Sequence, residues 1–277
     1  MGLRMNSRAS DQIIPNLYND MNNFLHNFGF DFKELAKIMG DYLPENPFKP
    51  KTGVIPASFD ARLKPEWSGC IHSVRDQKTC GSCWAFSSAG FLEDRLCIAS
   101  NKAINVRLSP QDMVNCDYNN YGCNGGFLAP SLTYLISDGL VSEDCLPYKN
   151  SAGLCSYKCE GTSSQYKKYS CKPGTMTILT SAEQIKQDIM TNGPMMVGFT
   201  VYDDFMSYSS GIYEPTVTSV AGGHAVKIIG WDHDGSNRLF WICQNQWSSL
   251  WGDQGYFKIY AGKAGLDSAG FACIPDL

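Results

Sequence analysis

Between Trp84 and Leu96 the apolar residues follow a helical beat. Phe86, Ala89, Gly90, Phe91, Leu92 and Leu96 form a broad apolar face, the 3.6-residue period of a helix with Cys83 at its start. Ser109 followed by Pro110 reads as a cap and first position of a second helix. Ala129 to Ile136 predicts a third, stopped near Gly139. Ser181-Ala182-Glu183-Gln184 is a capping box that opens a fourth, and Gly193-Pro194 ends it. Beyond about residue 166 the pattern changes. Met195 to Val201, Ala225 to Ile229, Leu239 to Cys243 and Tyr256 to Tyr260 are short β-branched or aromatic runs between turns, which predict strands. Helices followed by strands predict an α+β fold of two lobes: a helical lobe over about 55–165 and a strand lobe over about 166–277.

Residues 1–54 read as a separate unit. They hold no cysteine. A helix is predicted from Asp31 to Met39, with Asp31 as cap, Glu34 in the first turn and Gly40 at the end. Pro44, Pro47 and Pro50, then Lys51-Thr52-Gly53, form an exposed linker. No internal repeat or low-complexity tract interrupts the rest.

Composition narrows the partners. Of 277 residues, 43% are hydrophobic and 18% charged, with a formal net charge of -4. That supports one large core or two modest ones. The charged residues form no basic stripe, which argues against nucleic acid. No run is long and apolar enough to predict a membrane span. Twelve cysteines predict an oxidising compartment: lysosomal, vacuolar or secreted. The stretch Met1 to Arg8 lacks the apolar core of a signal peptide.

The candidate chemistry lies in three separated segments. Gln77-Lys78-Thr79-Cys80-Gly81-Ser82-Cys83-Trp84 precedes the first helix, and Gly222-Gly223-His224-Ala225 and Asn245-Gln246-Trp247 come far downstream. A cysteine, a later histidine and a later asparagine are the parts of a thiol nucleophile, its base and the group orienting the base. A thiolate is the reactive form, and the N-terminus of a helix favours an anion there. The backbone N–H of Cys83 and the amide of Gln77 are candidate donors to an oxyanion. Cys83 belongs to the helical lobe, His224 and Asn245 to the strand lobe, so the site is expected in the cleft between them. Two other readings compete. Cys80 and Cys83 could be half a zinc site, but no second ligand pair has similar spacing. They could be a redox pair that cycles together, which wants a βαβ context absent from the flanks. His26, His72 and His233 read as scattered structural histidines. No metal and no organic cofactor is expected.

From about residue 55 onward the chain resembles the papain superfamily, and within it the cathepsin B branch. Cys80-Gly81-Ser82-Cys83-Trp84 with distant His and Asn is that family's signature. Pro56-Ala57-Ser58-Phe59-Asp60-Ala61-Arg62 resembles the branch's mature start, Gly122-Cys123-Asn124-Gly125-Gly126 its glycine strip, and Asn245 to Gly252 its Asn-x-Trp-x-x-x-Trp-Gly run. The resemblance implies a cysteine endopeptidase made as a zymogen, with residues 1–54 as propeptide and linker and 55–277 as the papain-like domain, its right lobe β-barrel-like. The alternatives are an ordinary N-terminal subdomain and a catalytically weak papain-like binding protein.

The resemblance further implies Cys83, His224, Asn245 and Gln77 as catalytic residues. It implies Gly125, Gly126, Phe127, Leu128, Gly223, Ala225, Trp247, Trp251 and Ala269 as substrate-binding residues, with Trp247 shielding the His224–Asn245 bond and Trp251 walling the leaving-group side. Implied partners are peptide and protein substrates, the chain's own propeptide as inhibitor, and cystatin-like inhibitors. Implied disulfides are Cys70–Cys97, Cys80–Cys123, Cys116–Cys155 and Cys145–Cys159. Cys171, Cys243 and Cys273 have no partner in the pattern, and their odd number leaves at least one free thiol.

Four departures stand out. The pattern has glycine at Lys78 and serine at Gln246. Only six residues separate Tyr148 from Cys155, and no histidine lies between Lys78 and His224, so the occluding loop with its carboxylate-binding histidines is missing. Ala269 stands where the branch carries a glutamate at the base of the pocket for the second residue before the scissile bond. That change predicts a hydrophobic preference there.

Overall fold

The structure is a computed structural model that describes residues 53–160 and 165–277. The expected helix from Asp31 to Met39 lies outside the described residues. Four helices form where the sequence signals predict them: α1 (Cys83–Ala99), α2 (Pro110–Cys116), α3 (Leu128–Ser137) and α4 (Ala182–Asn192). Two caps operate as read. Ser109 Oγ accepts the Asp112 N–H and Ser181 Oγ accepts the Gln184 N–H, each at 3.2 Å. Gly193 ends α4 with φ 105°, a conformation open to glycine but strained for other residues.

The strands are β1 (Phe59–Asp60), β2 (Thr177–Leu179), β3 (Met195–Tyr202), β4 (Ile212–Tyr213), β5 (Val220–His233), β6 (Leu239–Gln244), β7 (Tyr256–Tyr260) and β8 (Gly270–Ala272). They form one sheet in the order β2-β8-β3-β5-β6-β7-β4, with β1 added to β5. All pairings are antiparallel except β4 with β7. The order of helices before strands has two exceptions, α4 between β2 and β3, and β1. β1 leaves the start of the chain and pairs Phe59 with Trp231 and Asp60 with Gly230. A Cβ on Gly230 would stand 2.2 Å from the Phe59 carbonyl oxygen, so that close pairing requires glycine.

α1 departs from the amphipathic helix its pattern suggests. It is buried nearly all round, including Glu93, Asp94 and Arg95. These three consecutive charges face three different elements and are paired in each. Glu93 pairs with Arg75 and accepts the Leu108 N–H at 2.8 Å. Asp94 pairs with Lys227 of β5 and with His72 Nδ1. Arg95 pairs with Asp188 of α4 and donates to the carbonyls of Gly193, Pro194 and Cys273. A buried charge is tolerated only when paired and hydrogen-bonded. Here the pairs also tie the helical lobe to the sheet.

Five disulfides are present: Cys70–Cys97, Cys80–Cys123, Cys116–Cys155, Cys145–Cys159 and Cys171–Cys273. The last joins two cysteines left without a partner in the sequence reading. It closes a separation of 102 residues, which contributes about 4–5 kcal/mol in the chain-entropy account. Of the three, Cys243 remains a free, buried thiol, next to the end of β6. With Cys80 bonded to Cys123, Cys80 and Cys83 do not form a redox pair in this state.

Candidate active site

The site is built where α1 meets β5. Cys83 is the first residue of α1, and the Ser82 side chain does not cap the helix. Ser82 Oγ is engaged instead with the Tyr148 hydroxyl at 2.8 Å. The Ala85 N–H donates to the Ser82 carbonyl at 3.0 Å, and the Cys83 and Trp84 N–H groups are left to face an anion. Backbone N–H groups of Ala225, Trp84 and Cys83 favour the thiolate of Cys83. Ala225 directly follows His224 in β5.

His224 is 7% exposed. Its Nε2 lies 2.8 Å from Asn245 Oδ1. That oxygen also accepts the Gln246 N–H at 2.9 Å, which fixes the amide orientation. The ring nitrogen must then donate, leaving Nδ1 as the basic nitrogen. Trp247 stacks on the imidazole with ring centroids 4.5 Å apart, and Trp251 packs edge-on to Trp247 at 5.0 Å. Phe199 closes another side at 5.8 Å. His224 and Asn245 are both buried. Burial pulls the imidazole down to about 4 against the opposing bond to Asn245. Burial pushes the Cys83 thiol up, and the three N–H groups oppose it. Each charge alone is disfavoured here, and together they would attract.

Gln77 is buried, and its Nε2 donates to the Cys80 carbonyl at 3.0 Å. An amide nitrogen carries two protons, so one remains for an oxyanion. The Gln77 segment is braced from two directions. Its carbonyl accepts the Tyr148 hydroxyl at 2.8 Å, and Asn150 Oδ1 accepts the N–H groups of Thr79 and Cys80, each at 3.0 Å. These scaffold residues follow Cys145 and were not singled out in the sequence. Lys78, where the pattern has glycine, sits at φ 55°.

The glycine strip divides by cause. Gly125 has φ 106° and open space where a Cβ would stand, while a Cβ on Gly126 would meet the Trp84 ring at 2.7 Å. Beside it Phe127 is 42% exposed and Leu128 and Ala225 are buried. Gly223 pairs with Thr200 across β3 and β5. Ala269 is half-buried just before β8. Asp267, two residues earlier, accepts the Trp241 indole N–H at 3.1 Å and the Gly262 N–H at 3.0 Å. The His72, Glu93 and Asp94 side chains lie close enough to suggest a metal cluster, but His72 bonds Asp94 and Asn105 through its two nitrogens and both acids are paired to cations. Those contacts account for the group.

A thiol at a helix start, a buried imidazole held by an amide on the facing sheet, and a spare amide donor define a thiol-dependent hydrolase. Residues 55–273 match the family described as Papain family cysteine protease, and the chain belongs to that family. Among curated relatives, "Cathepsin B-like CP2" of Giardia intestinalis is 38% identical over 79% of this chain and 73% of its own length. "Cathepsin B" of Dictyostelium discoideum is 35% identical over 89% of this chain and 85% of its own length. Among solved structures, "proCathepsin B S9 from Trypanosoma congolense" superposes with a TM-score of 0.75 at 29% identity, covering 81% of this chain and 79% of that one. The digestive procathepsin L2 of Tenebrio molitor superposes with a TM-score of 0.69 at 31% identity, covering 82% and 70%. The chain is thus a cathepsin B-like cysteine peptidase, with the two-lobe α+β fold its sequence predicts. No helix among the described residues is long and apolar enough to cross a membrane.

Proposed function

We propose that this peptidase is an endopeptidase, made as a zymogen, that prefers a hydrophobic residue at the second position before the scissile bond. The observation that carries the proposal is the His224–Asn245 bond at 2.8 Å on the sheet against which α1, with Cys83 at its start, packs. In this reading the Cys83 thiolate attacks the scissile carbonyl carbon. The carbonyl electron pair moves onto oxygen, where the Cys83 N–H and the spare Gln77 proton receive it. Nδ1 of His224 holds the proton taken from the thiol and passes it to the leaving amine as the C–N bond breaks. Water, deprotonated by the same nitrogen, then releases the acyl group and restores the thiol. Asn245 keeps the imidazole oriented throughout.

The short segment between Tyr148 and Cys155 supports an open leaving-group side, without a clamp for a substrate's terminal carboxylate. Ala269 supports the hydrophobic preference, because a guanidinium placed there would lack a counter-ion. The Asp267 carboxylate, two residues earlier, is held by the Trp241 and Gly262 N–H groups. The proform relatives support residues 1–54 as a propeptide, removed by cleavage between about Lys49 and Ile55. Five disulfides support an oxidising compartment, lysosomal, vacuolar or secreted, where cystatin-like inhibitors would be encountered. The test is a timed digest of an unstructured peptide by the matured protein, with a Cys83→Ala control and a positional library. Internal cuts after hydrophobic-x pairs, abolished in the control, are expected. Release of C-terminal dipeptides as the main product, or turnover in the control, would sink the proposal.

A further inference from the structure

Gln246 stands between all the parts of the site, and its contacts are unusually complete. The residue is 5% exposed. Its backbone N–H donates to Asn245 Oδ1 at 2.9 Å, the same oxygen that holds His224. Its backbone carbonyl accepts the N–H of Gln77 at 2.9 Å. Its side-chain Nε2 donates to the carbonyl of Ala225 at 2.6 Å. One residue therefore connects the Gln77 segment, the orienting amide and the strand carrying the imidazole.

The side-chain contact cannot be made by a serine at this position, which is too short to span it. Its orientation is determined, because the Ala225 carbonyl requires a donor. The N–H end of the amide thus lies 3.5 Å from Nε2 of His224. Both ends meeting there are donors, so the amide disfavours added positive charge on the ring. Resting on the assignment of His224 and Cys83 made above, we infer that Gln246 is a positioning residue: it straps β5 to the Asn245 loop and limits the alkaline range over which His224 stays protonated.

The other charged groups nearby are accounted for. Cys83 lies at the start of α1, which packs against β5. Beyond Gln246 lies a cavity of about 20 Å³ lined by Arg75, Glu93, Arg107 and Lys227. Arg75 and Arg107 pair with Glu93, and Lys227 pairs with Asp94. On the sheet side His224 meets Phe199 and Trp247, which carry no charge.

The test uses the matured enzyme with Gln246→Met, which keeps the volume and removes the donor, and Gln246→Ser, which removes both. Two readouts are taken across the pH range: kcat and KM on a peptide amide, and the alkylation rate of Cys83 by iodoacetate, whose negative charge the imidazolium attracts. The expected result is a fall in kcat of about tenfold, the size of one lost hydrogen bond in a positioned transition state, with KM within about twofold. The alkaline limb of the alkylation profile should move to higher pH in both variants. A kcat within twofold of native overturns the inference. So does an unmoved alkaline limb in a folded variant, since packing alone would leave it in place. Cys83→Ala run alongside separates the two levels. If it retains turnover, the assignment of the site itself falls. If it is inactive while the Gln246 variants behave as native, only the strap falls.

Discussion

The burial of His224 makes a thermodynamic prediction that can be isolated by removing its partner. In Cys83→Ala the imidazole keeps its wall of Trp247 and Phe199 but has no thiolate to pair with. Its folded-state value of about 4 then lies below the unfolded value of about 6.5. Between those values the unfolded chain binds the proton and the folded chain does not, so stability is lost as the pH falls. The window runs from about pH 6.5 down to about 4, and the loss reaches about 3 kcal/mol at its lower end. For a domain of this size that is a drop of roughly 6–12 °C in Tm. The background of other titrating groups is removed by comparison with Cys83→Ala/His224→Gln. Urea unfolding with disulfides intact, followed by tryptophan fluorescence, should show the stability difference between these variants changing by about 3 kcal/mol across the window. A difference independent of pH would mean that the imidazole is not desolvated in the folded state. The same comparison in the native background measures how far the Cys83 thiolate offsets the penalty, since an imidazolium paired with it carries the opposite sign.

Two further changes test the scaffold. Lys78→Gly places glycine at φ 55° and should raise stability by up to about 1 kcal/mol, and a lowered Tm would show that Lys78 has another role. Arg95→Met strands the buried Asp188 carboxylate and three carbonyls, and should lose about 3–5 kcal/mol in denaturant titration; a loss under 1 kcal/mol would contradict the packing described for α1.

Much of this molecule was legible where local chemistry decides structure. The capping residues Ser109 and Ser181 bond as their sequence context predicts, and β7 spans the run from Tyr256 to Tyr260 read from its pattern. β5 was read far too short because Gly222 and Gly223 weaken a strand locally, whereas pairing with β3 on one side and β6 on the other supports it over 14 residues. β2, β4 and β8 are two or three residues long, too brief for any period to show. Glu93, Asp94 and Arg95 carry no local sign of burial, since their partners come from remote segments. Cys171–Cys273 depends on the sheet bringing the chain's last strand back beside residue 171. The segments of the candidate site were visible because their residue types are rare in combination. The strap made by Gln246 was visible only as an odd residue, since its meaning lies in the Ala225 carbonyl that another strand delivers.

The charges buried along α1 also bear on which partner must move when a substrate binds. Asp94 and Arg95 pin the helical lobe to β5 and α4, and Gln244 of β6 reaches back to the His72 carbonyl at 2.8 Å. The two lobes are held together at several points by such pairs. In the proposed reading, the conformational entropy lost on docking then falls on the substrate, which would arrive as an extended strand against Gly125 and Gly126. Folded proteins would accordingly be cut at a rate set by how often a segment of their own opens, so that resistance to this enzyme becomes a measure of the victim's local stability.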